Sequence, residues 1–276
     1  MAECRATMIR RNVFSRLLRA AAVLPCLLAV PAVAVDQQAD LKECLTQAEQ
    51  QPDAALERAA AWEARGGGNP AKLCGALALF HRGDFAEAGR RLEDLATALG
   101  REDRRAGASI LGRAGWAWLR AGDNARAERL YTAALEYQPG DPDLLVDRAI
   151  ARAQGERFWD ALADLDAVIA KDPKRADAWL YRAAAHKALS NNRQALADIA
   201  RALELKPDDP EALLLRANIK ALSGDAKGAQ EDWRRVVSTA PDTHSARLAR
   251  SNLEAMERAG TADKAPSAPK PPSGKP

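Results

Sequence analysis

Catalysis and metal binding need titratable side chains gathered at defined spacings, so the histidines, cysteines and carboxylates come first. The chain has three histidines, His81, His186 and His244. They lie in different stretches, without a metal-ligand partner at helical spacing and outside any nucleophile motif. Asp and Glu number 38, yet they spread over helical surfaces and no pair stands out as acid and base. The run Gly66-Gly67-Gly68-Asn69-Pro70 cannot be a phosphate cradle. No strand precedes it and no Gly-Lys-Ser/Thr follows, so it reads as a loop. No metal site and no cofactor is expected, and the chain does not read as an enzyme.

What the chain offers instead is regularity. Pro139, Pro173, Pro207 and Pro241 are evenly spaced. Ala127, Ala161, Ala195 and Ala229 keep the same step, as do Ala134, Val168, Ala202 and Val236. Large apolar residues recur at Leu111, Leu145, Trp179 and Leu213 and again at Tyr131, Leu165, Ile199 and Trp233. Small ones recur at Gly115, Ala149, Ala183 and Ala217, where two helices can cross closely. Each proline follows a helix it cannot continue and fixes φ for the turn into the next. Gly122 and Gly224 suit a tight turn inside two copies, Gly155 is displaced by one position, and Ser190 stands where the third copy lacks glycine.

A period of about 34 residues and these residue types together resemble the tetratricopeptide repeat, a helix–turn–helix unit. The resemblance implies an all-α fold, a right-handed solenoid of stacked hairpins. Four copies span 108–141, 142–175, 176–209 and 210–241. Before them, 35–105 reads as two degenerate hairpins, the second carrying Gly75, Ala76, Leu79 and Gly83-Asp84-Phe85. A short insertion, from Gly100 to Arg105, precedes the regular copies. Residues 242–259 read as a capping helix with Leu248, Leu253 and Met256 on its apolar side. The stretch 260–276, with five prolines and three lysines among small residues, reads as a disordered tail.

One column departs from the family pattern. Where the first copy has Ala114 and Leu130, the next three have Arg148 with Asp164, Arg182 with Asp198 and Arg216 with Asp232. Both members change together, so three Arg–Asp contacts between the helices of each hairpin are expected, the alternative being a solvated charged face.

The segment 1–34 is of another kind. Arg10, Arg11, Arg16 and Arg19 precede an apolar run, Ala20 to Val30, that ends in Ala32-Val33-Ala34. This is the pattern of a secretory signal peptide cleaved near Ala34, the alternative being an uncleaved inner-membrane anchor. Without the leader the chain keeps 36 basic and 37 acidic residues. Net charge then gives no support for nucleic-acid binding, and no membrane span is expected in the processed chain. Cys44 and Cys74 remain. An even number in an exported protein, on neighbouring first helices, argues for a disulfide rather than two buried thiols. Closing that loop stabilises by roughly 3–4 kcal/mol in the chain-entropy model.

In the resembled family the first helix of each unit lines a concave groove that takes peptides or helices. That register turns Trp116, Leu119 and Arg120 inward from the first regular copy, and Val146, Ile150 and Gln154 from the second. Tyr181, Ala184 and Lys187 follow from the third, and Leu214 and Asn218 from the fourth. Trp116 and Tyr181 are the expected anchors, because large rings contribute area at small entropic cost, the alternative being that they pack against the next repeat. The Lys and Asn arrangement with which family members clamp a C-terminal carboxylate is absent. The function expected is a periplasmic binding scaffold with protein partners, within an envelope assembly. The alternative is an accessory subunit of an envelope enzyme, as in cell-wall or polymer export.

Overall fold

The computed structural model describes residues 37–99 and 103–262. The expected leader, 1–34, and most of the expected tail lie outside the described residues. Thirteen helices follow one another among those described. The first four are α1 (Gln37–Gln50), α2 (Pro52–Ala64), α3 (Gly68–Arg82) and α4 (Phe85–Leu99). Then come α5 (Arg104–Arg120), α6 (Asn124–Tyr137), α7 (Pro142–Gln154) and α8 (Phe158–Lys171). The chain continues through α9 (Ala176–Ala188), α10 (Asn192–Leu205), α11 (Pro210–Leu222) and α12 (Ala226–Thr239), and ends in α13 (His244–Ala262). From α2 onward each helix packs chiefly on its neighbours in sequence, and α1 packs on both α2 and α3. This is an all-α solenoid in which no hairpin covers its own core face.

The period is visible in backbone bonds. The amides of Gln138, Asp172, Lys206 and Ala240 donate to the carbonyls of Ala134, Val168, Ala202 and Val236, closing α6, α8, α10 and α12 in the same way. Asp141 and Asp209 cap α7 and α11 through their side chains, satisfying amides with no partner inside the helix. Gly115 lies so close under Tyr131 that a Cβ there would sit 2.8 Å from the ring. The glycine run before α3 is shorter as a loop than its composition implies, because the helix begins at Gly68. Pro70 fits in that first turn, where its missing N–H costs no bond.

The left-handed turn residue also keeps the period, even where glycine does not. Gly122, Glu156, Ser190 and Gly224 have φ of 83°, 61°, 61° and 84°. The second copy therefore places Glu156, not Gly155, in the strained conformation, and the third places Ser190 there.

Three carboxylates are buried in the hairpins, with Asp164, Asp198 and Asp232 only 4%, 5% and 5% exposed. Arg148 donates through Nε and Nη2 to the two oxygens of Asp164 at 3.0 and 2.7 Å. Arg182 does the same to Asp198 at 2.9 and 2.7 Å, and Arg216 to Asp232 at 2.8 and 2.6 Å. A second basic column, one helical turn on, completes the arrangement. Arg152 Nη1 lies 2.7 Å from Asp164, and Lys220 Nζ 2.8 Å from Asp232. His186 takes that place in the third copy, at 3.9 Å from Asp198. Arg148 and Arg182 also reach back a hairpin, to Thr132 at 3.3 Å and Asp166 at 2.7 Å. Burial works against the charge of Asp232, but bonds from Arg216 and Lys220 hold its carboxyl below the usual range. In the first regular copy Ala114 and Leu130, both buried, fill the same space.

Cys44 and Cys74 form a disulfide with their Cα atoms 6.0 Å apart, joining α1 to α3. At the other end α13 covers the last core cluster. Its buried face is Ala246 and Ala249, with Leu253 and Met256 packed beside them. Leu248 was expected on that face but is 41% exposed. Positions 246, 249, 253 and 256 form one stripe at helical spacing, and 248 lies off it. The helix also runs on to Ala262, into the stretch expected as tail.

Arg182→Ala and Asp198→Ala should each destabilise the fold, with a coupling of about 1–3 kcal/mol in a double-mutant cycle followed by urea unfolding. Additive effects would show that the pair does not join the helices. Glu156→Gly and Ser190→Gly should each stabilise by about 0.5–1 kcal/mol, the relieved left-handed strain outweighing the entropy glycine adds to the unfolded chain. Gly122→Ala should destabilise by about 1–2 kcal/mol. Unchanged unfolding midpoints would contradict the strain.

Candidate peptide-binding groove

The odd-numbered helices of the hairpins touch one another across the stack, α1 with α3, α5 with α7, α7 with α9 and α9 with α11. The even-numbered helices make no comparable contacts among the described residues. The odd helices therefore form the inner, more tightly curved side. One step in that series is open, because α3 and α5 lack the close contact made by the others. It is the step at which the chain carries its extra residues. A cavity of about 590 Å³ occupies the gap.

Four inner helices build this cavity. Leu45 and Glu49 come from α1, and Leu77, Phe80 and His81 from α3. Ser109, Gly112, Arg113 and Trp116 line it from α5, and Leu144 and Asp147 from α7. Trp116 is 40% exposed, a large ring left open in a recess lined by both apolar and polar side chains. Phe80 and His81 meet edge to face, with ring centroids 5.7 Å apart. The disulfide holds the α1 and α3 walls together.

Of the expected groove residues, Trp116 alone lines the cavity. Leu119 and Val146 are 5% and 3% exposed and belong to the core, so they support the groove from behind. Ile150, Tyr181 and Leu214 are half-buried against core clusters. Asn218 is half-buried too, and its side-chain oxygen accepts from Trp233 and from Asn252 of α13, both at 3.1 Å. Arg120, Gln154, Ala184 and Lys187 are exposed, and the Arg120 guanidinium stacks 4.7 Å over Phe85.

Asp147 and Arg113 were not anticipated, although a signal for both existed. Stepping back one repeat from Tyr181 reaches Asp147, and a second step reaches Arg113. Positions 109, 112 and 113 lie one and two turns before Trp116 on the same face.

Asp147 dominates the electrostatics. It is half-buried. Burial, reinforced by Asp143 and Asp141 and opposed by Arg175, pushes its carboxyl up to about 6. Tyr181 is also pushed up, first by burial and then by the Glu211, Asp177 and Asp147 carboxylates. Asp147 thus lies between the Trp116 cavity and Tyr181. Tyr131 is raised by complete burial and by Asp147, and its hydroxyl has no hydrogen-bond partner.

A second cavity of about 440 Å³ lies among α2, α3 and α4, walled by Leu56, Ala59, Gly75 and Leu95 and edged by Lys72, Arg91 and Asp94. It offers no aromatic anchor. Among the described residues no group of three or more His, Cys, Asp or Glu could hold a metal ion. No described helix is long and apolar enough to cross a membrane.

Solved structures share this architecture. TTC0263, a thermophilic TPR protein in Thermus thermophilus, matches with a TM-score of 0.55 at 19% identity, over 67% of this chain and 98% of that one. The chain has the tetratricopeptide-repeat fold. MamA 41-end from Desulfovibrio magneticus RS-1 shares it, with a TM-score of 0.52 at 21% identity over 61% of this chain and 93% of that one. So does YrrB, described as a TPR protein with an unusual peptide-binding site, with a TM-score of 0.50 at 19% identity over 64% and 96% of the two chains. No protein-family model and no curated protein matches the chain. At these identities the shared property is the tetratricopeptide-repeat architecture, and function rests on the site.

The raised carboxyl of Asp147 sets a pH dependence. Its folded value of about 6 lies above that of an unfolded Asp, about 3.9. The ionised form therefore weighs against the fold. This contribution is most favourable below about pH 4 and is lost as pH rises through about 6. Asp147→Asn should stabilise the chain by about 2 kcal/mol near pH 7 and by nothing near pH 4, measured by urea unfolding at both. Equal effects at the two pH values would contradict the assignment.

Proposed function

We propose that this chain is an exported binding scaffold that holds a peptide segment of a partner protein in the groove around Trp116. One observation carries the reading. An indole ring 40% exposed stands in a recess whose apolar wall, Leu77, Phe80 and Leu144, comes from separate helices. Large rings in such recesses supply most of the energy in protein–peptide contacts. The disulfide and the stacked neighbours keep the recess formed before a ligand arrives, which reduces the ordering cost of binding. YrrB, with the same fold, is described as having a peptide-binding site, and that description supports the reading by analogy. The basic, apolar and small-residue pattern of the segment 1–34 supports export to the periplasm. The role fits a scaffold in an envelope assembly.

A photo-crosslinking amino acid in place of Trp116, introduced in living cells, should yield adducts with a partner protein. The same group in place of Trp159, which is 68% exposed on α8, should not. Trp116→Ala should weaken capture of that partner by about 2 kcal/mol while leaving helical CD unchanged. The captured form should begin at Val35. Adducts from position 159 and none from 116 would move the site off the inner face.

A further inference from the structure

Within the proposed groove, one polar wall is uncommitted. Asp147 lines the Trp116 cavity and is half-buried. Among the described residues its carboxylate accepts no hydrogen bond and joins no ion pair. Arg175, whose charge acts on Asp147, is itself held by Asp143 at 2.6 Å and Asp177 at 3.0 Å. The Tyr131 hydroxyl, buried nearby, bonds to nothing. Glu49 adds a second carboxylate to the lining, and His81 and Arg113, both exposed, are the basic groups of the same lining. Beyond the cavity, Asp177 and Glu211 flank Tyr181. An unpaired, partly desolvated carboxylate beside an open indole is costly in the free protein, and a ligand cation offsets that cost.

We propose that the groove takes a partner segment bearing a lysine or arginine next to an apolar side chain. The cation pairs with Asp147, and the apolar side chain lies against Trp116, Phe80 and Leu77. The inference rests on the groove reading above and narrows it to one ligand chemistry. The stem of a long basic side chain covers apolar wall while its head reaches a carboxylate. The indole face of Trp116 adds to cation binding. An acidic segment meets Glu49 and Asp147 and is turned away by like charge.

The test uses the full chain and three peptides followed by calorimetry near pH 7.5. They are acetyl-Ser-Leu-Lys-Leu-Ser-Gly-amide and two versions with glutamine or glutamate in place of the lysine. The lysine peptide should bind about tenfold more tightly than the glutamine peptide, and the glutamate peptide more weakly still. Asp147→Asn should abolish the preference for lysine and leave the glutamine peptide within about twofold of its affinity for the parent chain. Acidification to about pH 5, which protonates Asp147, should weaken the lysine peptide alone. A lysine peptide that binds no more tightly than the others, or that does not bind, overturns the proposal. So does a lysine preference that survives in Asp147→Asn. Trp116→Ala separates the two readings. If it weakens peptides that show no charge preference, the groove stands and the basic ligand falls. If it changes no peptide's affinity, the groove reading falls as well.

Discussion

A carboxylate buried inside a helical hairpin has to be neutralised by cations of that same hairpin, and in three consecutive copies this sets how the two helices lie. Each Asp accepts both forks of one guanidinium from the first helix, leaving little freedom for rotation or sliding between the pair. Such a pair adds little net stability over a well-packed apolar alternative, as Ala114 and Leu130 show by occupying the same place. Its value is geometric, because a slip of one helix strands a buried charge. Arg148 and Arg182 extend the constraint by bonding to the preceding hairpin, so register inside a unit is linked to register between units.

Against that regularity, the extra residues before α5 are the informative break. Elsewhere the inner helices close on one another. Between α3 and α5 they part, and the space is lined by rings instead of being filled by them. The disulfide joining α1 to α3 lies beside the opening, so the wall that loses support from α5 gains it from α1. A solenoid with an unbroken period has a uniform inner face. This one has a recess at one position.

The architecture was legible because its causes are local and repeated. Proline after each second helix, small residues at crossings and paired substitution of Arg and Asp are all spacing signals. The left-handed turn was less so, since Gly155 drew attention one residue early while the backbone placed Glu156 in that conformation. The second basic column escaped because Arg152, His186 and Lys220 share a position in the repeat but not an identity. Of the residues that the repeat register turns inward, Trp116 lines the cavity, whereas Leu119 and Val146 belong to the core. Register fixes the face of a helix, and the neighbouring helix decides how much of that face it covers. Contributions from α1 and α3 depend on how far the irregular junction opens, and no periodicity encodes that distance.

Asp147 shows what such a recess asks of the fold. The three buried carboxylates of the regular copies are each met by two basic groups or by an Arg and a nearby His. Asp147, on the inner face, has no ion pair of its own, and burial with the Asp143 and Asp141 charges raises its carboxyl against the pull of Arg175, which is itself paired to Asp143 and Asp177. Hairpin packing does not require this residue, because the same column holds Arg113, Tyr181 and Leu215 in the other copies. A position that tolerates a cation, a ring and an aliphatic chain is not set by the core. A charge that opposes folding, at a position free to be neutral, is explained by something that arrives after folding and pairs with it.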